Sequence, residues 1–224
     1  MQHSVKEFQR YLKRRYPHSS TAKHYVNDLR ASQRLMDKAP TEIRSRDIGA
    51  FVEDQLTKGL AATTINRRLS SLHHFFEFLA HQADDDNWSN PVVWQFHRVT
   101  EPKHLPRDVR EGDLEHLFAH IDHPRDRLMF SLMVSAGLRV GEVAALRMQD
   151  FIPSPHPHRG RLRVRGKGQK ERVVPLTPNL VRLWRAWSDE RPSVQADAVF
   201  VTRRKRGISV RGIQALLTHY ARRS

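Results

Sequence analysis

Apolar residues recur at every third or fourth position through the first part of the chain. The clearest stretch runs from about 61 to 81, where Ile65, Leu69, Leu72 and Phe76 fall on one face of a helix. Shorter periodic stretches precede it, and helix-breaking residues follow each of them, at Pro17, Pro40 and Gly59. The pattern predicts four helices that together form a first domain over residues 1–83.

The periodicity stops in residues 84–106. Three consecutive aspartates, Asp84–Asp86, are followed at intervals by Pro91, Pro102 and Pro106. Because proline disrupts both helices and central strands, this composition is typical of an extended interdomain connector. The sequence therefore predicts a second domain over residues 107–224.

The second half of the chain carries the only clear strand signal. Leu162 and Val164 alternate with Arg161, Arg163 and Arg165, which predicts a strand with one apolar and one cationic face. Turn-forming residues at 166–169 and an apolar return at 172–174 predict an antiparallel hairpin. Helical spacing surrounds it, around 114–121, 128–136, 140–147, 180–187 and 209–223, and 199–201 is a candidate short strand. The predicted fold class is mainly α (α+β), with a four-helix domain and a mainly helical second domain that holds a small antiparallel sheet.

Charge gives the strongest indication of a partner. The chain has 39 Lys and Arg against 24 Asp and Glu, a net charge of +15. A basic chain of this kind favours polyanions, because each cation placed on a phosphate releases a condensed counterion. The chain has no cysteine, no signal-type apolar segment and no run of 18 apolar residues. We therefore expect neither secretion nor membrane spanning. The expected location is the cytoplasm, with association to the nucleoid when the chain is bound to DNA.

Two motifs are candidates for chemistry. In the stretch 136–142, Gly137 allows a sharp turn before a helix, Arg139 lies where that helix begins, and Glu142 follows one turn later. Such an arginine can hold two phosphate oxygens, although a surface Arg–Glu pair has the same spacing. In the stretch 165–172, Lys167 lies between two glycines at the predicted hairpin tip. It could protonate a leaving alkoxide or only touch a phosphate, and the spacing does not fit a Walker loop.

Together these motifs resemble a known family. AGLRVGEVAAL at 136–146, followed by RVRGKGQKERVVPL at 163–176, is similar to tyrosine recombinases of the Xer and phage-integrase type. Residues 63–72 resemble the last helix of that family's core-binding domain. The resemblance implies that Arg139 stabilises the pentacoordinate phosphate, that Lys167 is the general acid, and that Glu142 supports them.

The resemblance also implies a mechanism and partners. Family members attack duplex DNA with a tyrosine and form a 3′-phosphotyrosyl link, which stores the bond energy, so no metal, nucleotide or other cofactor is expected. Full-length members form a tetramer on two duplexes. Neither a membrane nor a small-molecule substrate is expected. The adjacent histidines at 73 and 74, and those at 156 and 158, lack a carboxylate cluster and are not expected to bind metal.

The chain departs from the family pattern after the hairpin. The family then has a His-x-x-Arg box and, later, the tyrosine nucleophile, whereas here His219–Arg222 fits only the spacing, and Tyr220 falls within it. We expect the catalytic domain to be incomplete and the chain to bind duplex DNA without cutting it. A non-catalytic remnant or regulator that occupies a recombination site is the alternative, and a general RNA-binding protein is a weaker one.

The sequence also offers candidate DNA contacts outside the two predicted catalytic positions. Some lie on the predicted polar side of the fourth helix, others on the second helix, and the rest on the cationic face of the hairpin and in the arms beside its tip. The set is Thr64, Asn66, Arg67, Arg68, Lys23, Arg163, Arg165, Lys170 and Arg172.

Overall fold

The chain is divided into two compact units, Met1–Leu105 and Pro106–Ser224. The computed structural model describes residues 2–17, 19–32, 38–83, 88–102, 109–166, 170–194 and 197–224. The first unit is helical, and the second combines helices with one small sheet. The mainly α (α+β) fold class predicted from the sequence is therefore confirmed.

The first unit contains the four predicted helices. Their apolar faces enclose a core that includes Phe8, Ile65, Phe75 and Phe76, each 0% exposed. Gly59 follows the third helix with a left-handed φ of +69°, a conformation that suits glycine because it has no Cβ. The bounds are α1 (Gln2–Arg15), α2 (Thr21–Ala31), α3 (Ser45–Thr57) and α4 (Ala62–Ala83), with a short 3-10 turn at Pro40–Glu42.

The described part of the predicted connector, residues 88–102, is packed rather than extended. It contains a short helix, α5 (Trp94–His97), and Val92 is buried in the core of the first unit. Buried His97 accepts a hydrogen bond at Nδ1 from the Val93 N–H and lies 3.0 Å through Nε2 from the carbonyl oxygen of Ser45. The expectation of an extended segment is wrong for these residues, because apolar side chains between the prolines dock on the helices. The domain limits themselves stay a prediction.

The second unit surrounds a three-stranded antiparallel sheet in the order β1-β2-β3. The sheet contains the predicted hairpin and one further strand that the sequence pattern did not indicate. The strands are β1 (Phe151–Pro153), β2 (Gly160–Arg165) and β3 (Glu171–Leu176). The helices are α6 (Glu111–Ala119), α7 (Pro124–Ser135), α8 (Val140–Ala145), α9 (Pro178–Glu190) and α10 (Val210–Ala221), with a 3-10 turn at Met148–Asp150.

The alternation in β2 divides the two faces of the sheet as predicted. Leu162 and Val164 are 0% exposed, whereas the three arginines between and beside them are exposed. The candidate strand at 199–201 does not form one. Ala198 and Val201 make single antiparallel bridges with Arg147 and Gly207, and the segment is held in the core instead. In the described ranges no helix is both long and apolar enough to cross a membrane.

Candidate nucleic-acid interface

A sharp turn places Arg139 at the start of α8. Gly137 has a left-handed φ of +64°, which reverses the chain after α7, and the Leu138 N–H donates back to the carbonyl of Leu132 at 3.2 Å. Arg139 then adopts an extended conformation at the N-cap position. The Glu142 carboxylate accepts the Arg139 backbone N–H through Oε2 at 2.8 Å, as in a capping box. The local sequence therefore fixes where the arginine leaves the backbone.

Glu142 is the centre of an arginine cluster. Its side chain is only 5% exposed, and it accepts two bonds from Arg172 of β3, Nη1 to Oε1 at 2.6 Å and Nη2 to Oε2 at 2.8 Å. Arg139 Nη1 lies 3.3 Å from Oε1, yet the Arg139 side chain is 79% exposed. One buried carboxylate thus holds two guanidinium groups, one of which reaches into solvent.

The cluster shifts the ionisation of its members. The bonds from Arg172, aided by the backbone N–H of Arg139, lower the pKa of Glu142 from 4.5 to about 2, although burial acts in the opposite direction. The same pair raises the pKa of Arg172 above its usual value. The cluster therefore carries one negative and two positive charges at neutral pH.

The hairpin tip begins beside this cluster. The Gly166 N–H donates to the carbonyl of Lys170 at 2.8 Å, so strand pairing continues past Arg165 towards the tip. A Cβ at Gly166 would lie 3.4 Å from Oε1 of Glu142. Lys167, the predicted general acid, lies outside the described residues, and its role stays a prediction. Lys170, a predicted DNA contact, is exposed.

The cationic row on β2 lies on the outer face of the sheet. Arg161, Arg163 and Arg165 are all exposed. Arg165 is partly committed to its own unit, because it donates to Asp150 at 3.3 Å and to Glu171 at 3.1 Å. Arg163, by contrast, has no hydrogen bond or ion pair in the described part of the chain. It remains a candidate phosphate contact, as predicted.

Asn66 does not lie on the solvated face of α4. It is 9% exposed, and its amide group is bonded on both sides. Nδ2 donates to the Val99 carbonyl at 2.8 Å and to Glu101 Oε1 at 2.7 Å, while Oδ1 accepts the Val99 N–H at 2.9 Å. The predicted placement of Asn66 is wrong, because an amide can satisfy both backbone groups of a segment that crosses the helix.

The neighbouring arginines of α4 are also tied within the first unit. Arg67 is hydrogen-bonded to both oxygens of buried Asp28, which also accepts from Ser71 at 2.8 Å. The Arg67 side chain nevertheless remains 52% exposed. Arg68 is hydrogen-bonded to buried Gln55. These contacts orient both guanidinium groups. Of the other candidates on the first unit, Lys23 is exposed and Thr64 is half-buried. DNA contact by these four residues stays a prediction.

A second basic surface was missed in the sequence. Four consecutive cations, Arg203–Arg206, are exposed on a tight turn. Two hydrogen bonds close the turn, since the Thr202 N–H and hydroxyl both donate to the Arg206 carbonyl, at 2.8 and 3.1 Å, and Lys205 takes a left-handed φ of 58°. In the described ranges none of the four side chains has a hydrogen bond or ion pair. The run of four cations between Thr202 and Gly207 was the available signal.

Tyr220 is used structurally. It is 7% exposed, and its hydroxyl donates to Oδ2 of Asp126 at 2.9 Å, which joins the end of α10 to the start of α7. Asp126 is itself paired with Arg125 at 2.7 Å. Burial, followed by the bond to Asp126, raises the pKa of Tyr220 to about 12. The phenol is therefore neither accessible nor easily ionised.

Comparison with known proteins relates both units to the same family. A family model described as the phage integrase family matches residues 107–224, and one for the phage integrase N-terminal SAM-like domain matches residues 5–83. Tyrosine recombinase XerD of Listeria monocytogenes serotype 4b (strain F2365) is 28% identical over an alignment of 222 residues, and the match covers 92% of this chain and 72% of the relative. Tyrosine recombinase XerC of Chlamydia pneumoniae is 31% identical over 206 residues, with 88% and 64% covered.

Solved structures share the fold. A lambda integrase(75-356) dimer bound to a COC' core site has a TM-score of 0.77 at 14% identity, covering 99% of this chain and 80% of that one. The Tn1549 transposon integrase in complex with circular intermediate DNA has a TM-score of 0.71 at 13% identity, covering 98% and 78%. At these identities the likeness concerns the fold alone.

Proposed function

The chain belongs to the phage integrase family of tyrosine recombinases, and from that membership we propose that residues 1–224 bind duplex DNA but do not by themselves form a covalent link to it. Family membership relates the chain to site-specific DNA recombination. The narrower assignment concerns what this stretch of sequence does alone.

The observation that carries the DNA-binding proposal is uncompensated positive charge on the second unit. Arg163 and the four cations at 203–206 are exposed and have no acidic partner among the described residues. Arg139 adds a guanidinium that is 79% exposed. Cations left without carboxylates are available to phosphates, and the release of counterions from DNA then drives binding. A surface that served only solubility would mix both signs of charge.

The similar solved structures also support DNA as the ligand. The similar structures include the lambda integrase dimer on a core site and a lambda integrase tetramer bound to a Holliday junction. We propose duplex DNA as the ligand of this chain and a tetramer on two duplexes as the assembly formed by members of its family. The proposed location of this chain is the cytoplasm, at the nucleoid when it is bound to DNA.

Arg139 and Lys167 are the proposed phosphate-binding residues of the second unit. Arg139 offers its exposed donors to the scissile phosphate, with Glu142 fixing its backbone. Lys167 is proposed as the general acid for the leaving oxygen, on the basis of its position between two glycines in the hairpin sequence.

Inactivity is proposed from the chain's own four tyrosines. Tyr11, Tyr16 and Tyr25 all belong to the first unit, Tyr11 and Tyr25 within its helices and Tyr16 directly after α1. Tyr220 is buried against Asp126, and its raised pKa opposes formation of the phenolate that attacks phosphorus. The His219–Arg222 spacing therefore does not supply a nucleophile from Tyr220.

Two measurements test the proposal. Fluorescence anisotropy with duplexes that carry family core sites, over a series of salt concentrations, should show affinity that falls steeply with salt. Incubation with a nicked suicide duplex, followed by denaturing gel electrophoresis, should show no protein–DNA adduct. Binding that is absent or insensitive to salt would contradict the proposal that the chain binds DNA. Tighter binding to structured RNA than to duplex DNA would make RNA the ligand instead. A protein–DNA adduct that survives denaturant would contradict the proposed lack of covalent chemistry.

A further inference from the structure

We propose that Arg172 does not contact DNA but neutralises and positions Glu142, so that the charge of Arg139 remains free to hold a phosphate. This assigns a positioning role within the proposed DNA-binding site and rests on that proposed function. It replaces the interpretation of Arg172 as one more phosphate contact at the end of the hairpin.

The sheet register separates Arg172 from the cationic row. Arg172 lies opposite buried Val164, and side chains of directly opposed residues share one face of a sheet. Arg163 lies opposite Val173, which is 52% exposed on the other face. Arg172 therefore extends towards the side where α8 packs, away from the exposed arginines of β2.

The hydrogen bonds of Glu142 leave no capacity for another ligand. A carboxylate has about four acceptor positions. Oε1 receives Nη1 of Arg172 and Nη1 of Arg139, while Oε2 receives Nη2 of Arg172 and the backbone N–H of Arg139. Since the group is also buried, its contacts are confined to these two arginines, and its role is to hold them in a fixed relation.

The charges of the cluster explain why two arginines are needed. Arg172 makes the two shorter side-chain bonds to Glu142, whereas Arg139 makes one at 3.3 Å and projects into solvent. Arg172 thus offsets the carboxylate, and the single net positive charge belongs to Arg139. Without Arg172, the buried carboxylate would draw the Arg139 guanidinium inward and cancel its charge. An arginine that faces an unneutralised carboxylate is a poor phosphate ligand.

Charge-neutral substitutions separate positioning from direct contact. Duplex binding is measured by anisotropy over a salt series for wild type, Arg172→Gln, Arg139→Gln and the double variant Glu142→Gln/Arg172→Gln. Arg172→Gln should weaken binding about tenfold or more, the effect of losing one charge-assisted contact, and reduce the salt slope by about 1. The double variant should return affinity and slope to near the wild-type values, because Arg139 is again the only charge of the cluster.

Two controls accompany these variants. Arg182→Gln removes one equal charge from an exposed position on α9 and should change affinity less than about twofold. Far-UV circular dichroism at the assay temperature shows that each variant is folded. The variant Arg139→Gln/Arg172→Gln should be no weaker than Arg139→Gln alone, since Arg172 acts through Arg139.

Opposite results would overturn the positioning role. If the double variant Glu142→Gln/Arg172→Gln binds as weakly as Arg172→Gln, then Arg172 touches phosphate itself. The same conclusion follows if the losses of binding free energy in Arg139→Gln and Arg172→Gln add up in the variant that carries both substitutions. If wild type does not bind duplex DNA, the proposed function fails, but the inference is still tested with inorganic phosphate. Arginine Nε–Hε signals followed by NMR should then report phosphate binding at Arg139 in wild type and the double variant, and not in Arg172→Gln.

Discussion

Replacing Glu142 with Gln tests how much the arginine cluster stabilises the second unit. Gln has the size of a protonated glutamic acid, so the substitution reproduces the acid form at every pH. The folded pKa is about 2 and the ordinary value is 4.5, which favours the folded state when the group is charged. At 1.36 kcal/mol per pKa unit, a shift of about 2.5 units gives about 3 kcal/mol. This is an upper limit, because Arg172 and Arg139 are 39% and 79% exposed and solvent screens them.

The sign of the shift sets the pH window. Because the folded pKa lies below the unfolded value, the stabilisation is complete above about pH 5 and is lost as pH falls towards 2. The difference in unfolding free energy between wild type and Glu142→Gln should therefore be near its maximum at pH 6. It should shrink to about 2 kcal/mol at pH 3.5 and continue to fall below that.

Urea unfolding from pH 3 to pH 6 provides the assay. Far-UV circular dichroism reports both units, and amide exchange at Val143, whose N–H donates to the Arg139 carbonyl at 3.0 Å, reports the start of α8. Asp47→Asn is a matched control. It removes a half-buried carboxylate that accepts from the Lys38 ammonium in the first unit, and it should leave Val143 exchange unchanged. Parallel pH profiles for wild type and Glu142→Gln would refute the reasoning, since they would mean that the carboxylate gains nothing from its partners.

Three further predictions concern other contacts. Tyr220→Phe removes a bond to a buried aspartate and should reduce the free energy of unfolding by about 1–3 kcal/mol; an ultraviolet titration of wild type should show one tyrosine ionising near pH 12, with stability lost as pH rises from 10 towards 12. A methyl added at Gly137 or Gly141 meets no atom within 4 Å, so backbone conformation decides the effect of each substitution. In thermal unfolding, Gly137→Ala should destabilise the protein by about 1 kcal/mol because φ is positive there, whereas Gly141→Ala should stabilise it because alanine favours the helical conformation of α8. Asn66→Ala should speed amide exchange at Val99 with no change in the salt slope of DNA binding. An unchanged exchange rate would mean that the Asn66 amide does not hold the Val99 backbone.

The sequence predicted every long helix of both units, but not the four-residue α5, because the apolar spacing of the long helices is strong and their ends carry local signals. Thr177 caps α9 through its hydroxyl, Pro178 opens that helix, and Ser209 caps α10. These interactions involve neighbours in the chain, so they are visible in the order of residues. The alternation of β2 belongs to the same class, since a period of two fixes which side chains share a face.

The conformation of short segments that are held by distant contacts could not be predicted from the sequence. β1 has three residues and exists because it pairs with β2, while 199–201 has an apolar pattern but makes only isolated bridges. The segment 88–102 contains two prolines and still packs, since Asn66 bonds to its backbone. In each case a partner far along the chain decided the conformation.

The candidate site divides in the same way. The sequence by itself determined that Arg139 lies at a helix start after a turn at Gly137, that Glu142 lies one turn later, and that β2 has a cationic face, because each depends on local spacing. Only the tertiary structure brought Arg172, 30 residues beyond Glu142, onto the same carboxylate and turned Asn66 inward. Local spacing predicts which face of its own helix or strand a side chain occupies. The packing of helices and strands against one another decides which charges are neutralised and which remain free for a ligand.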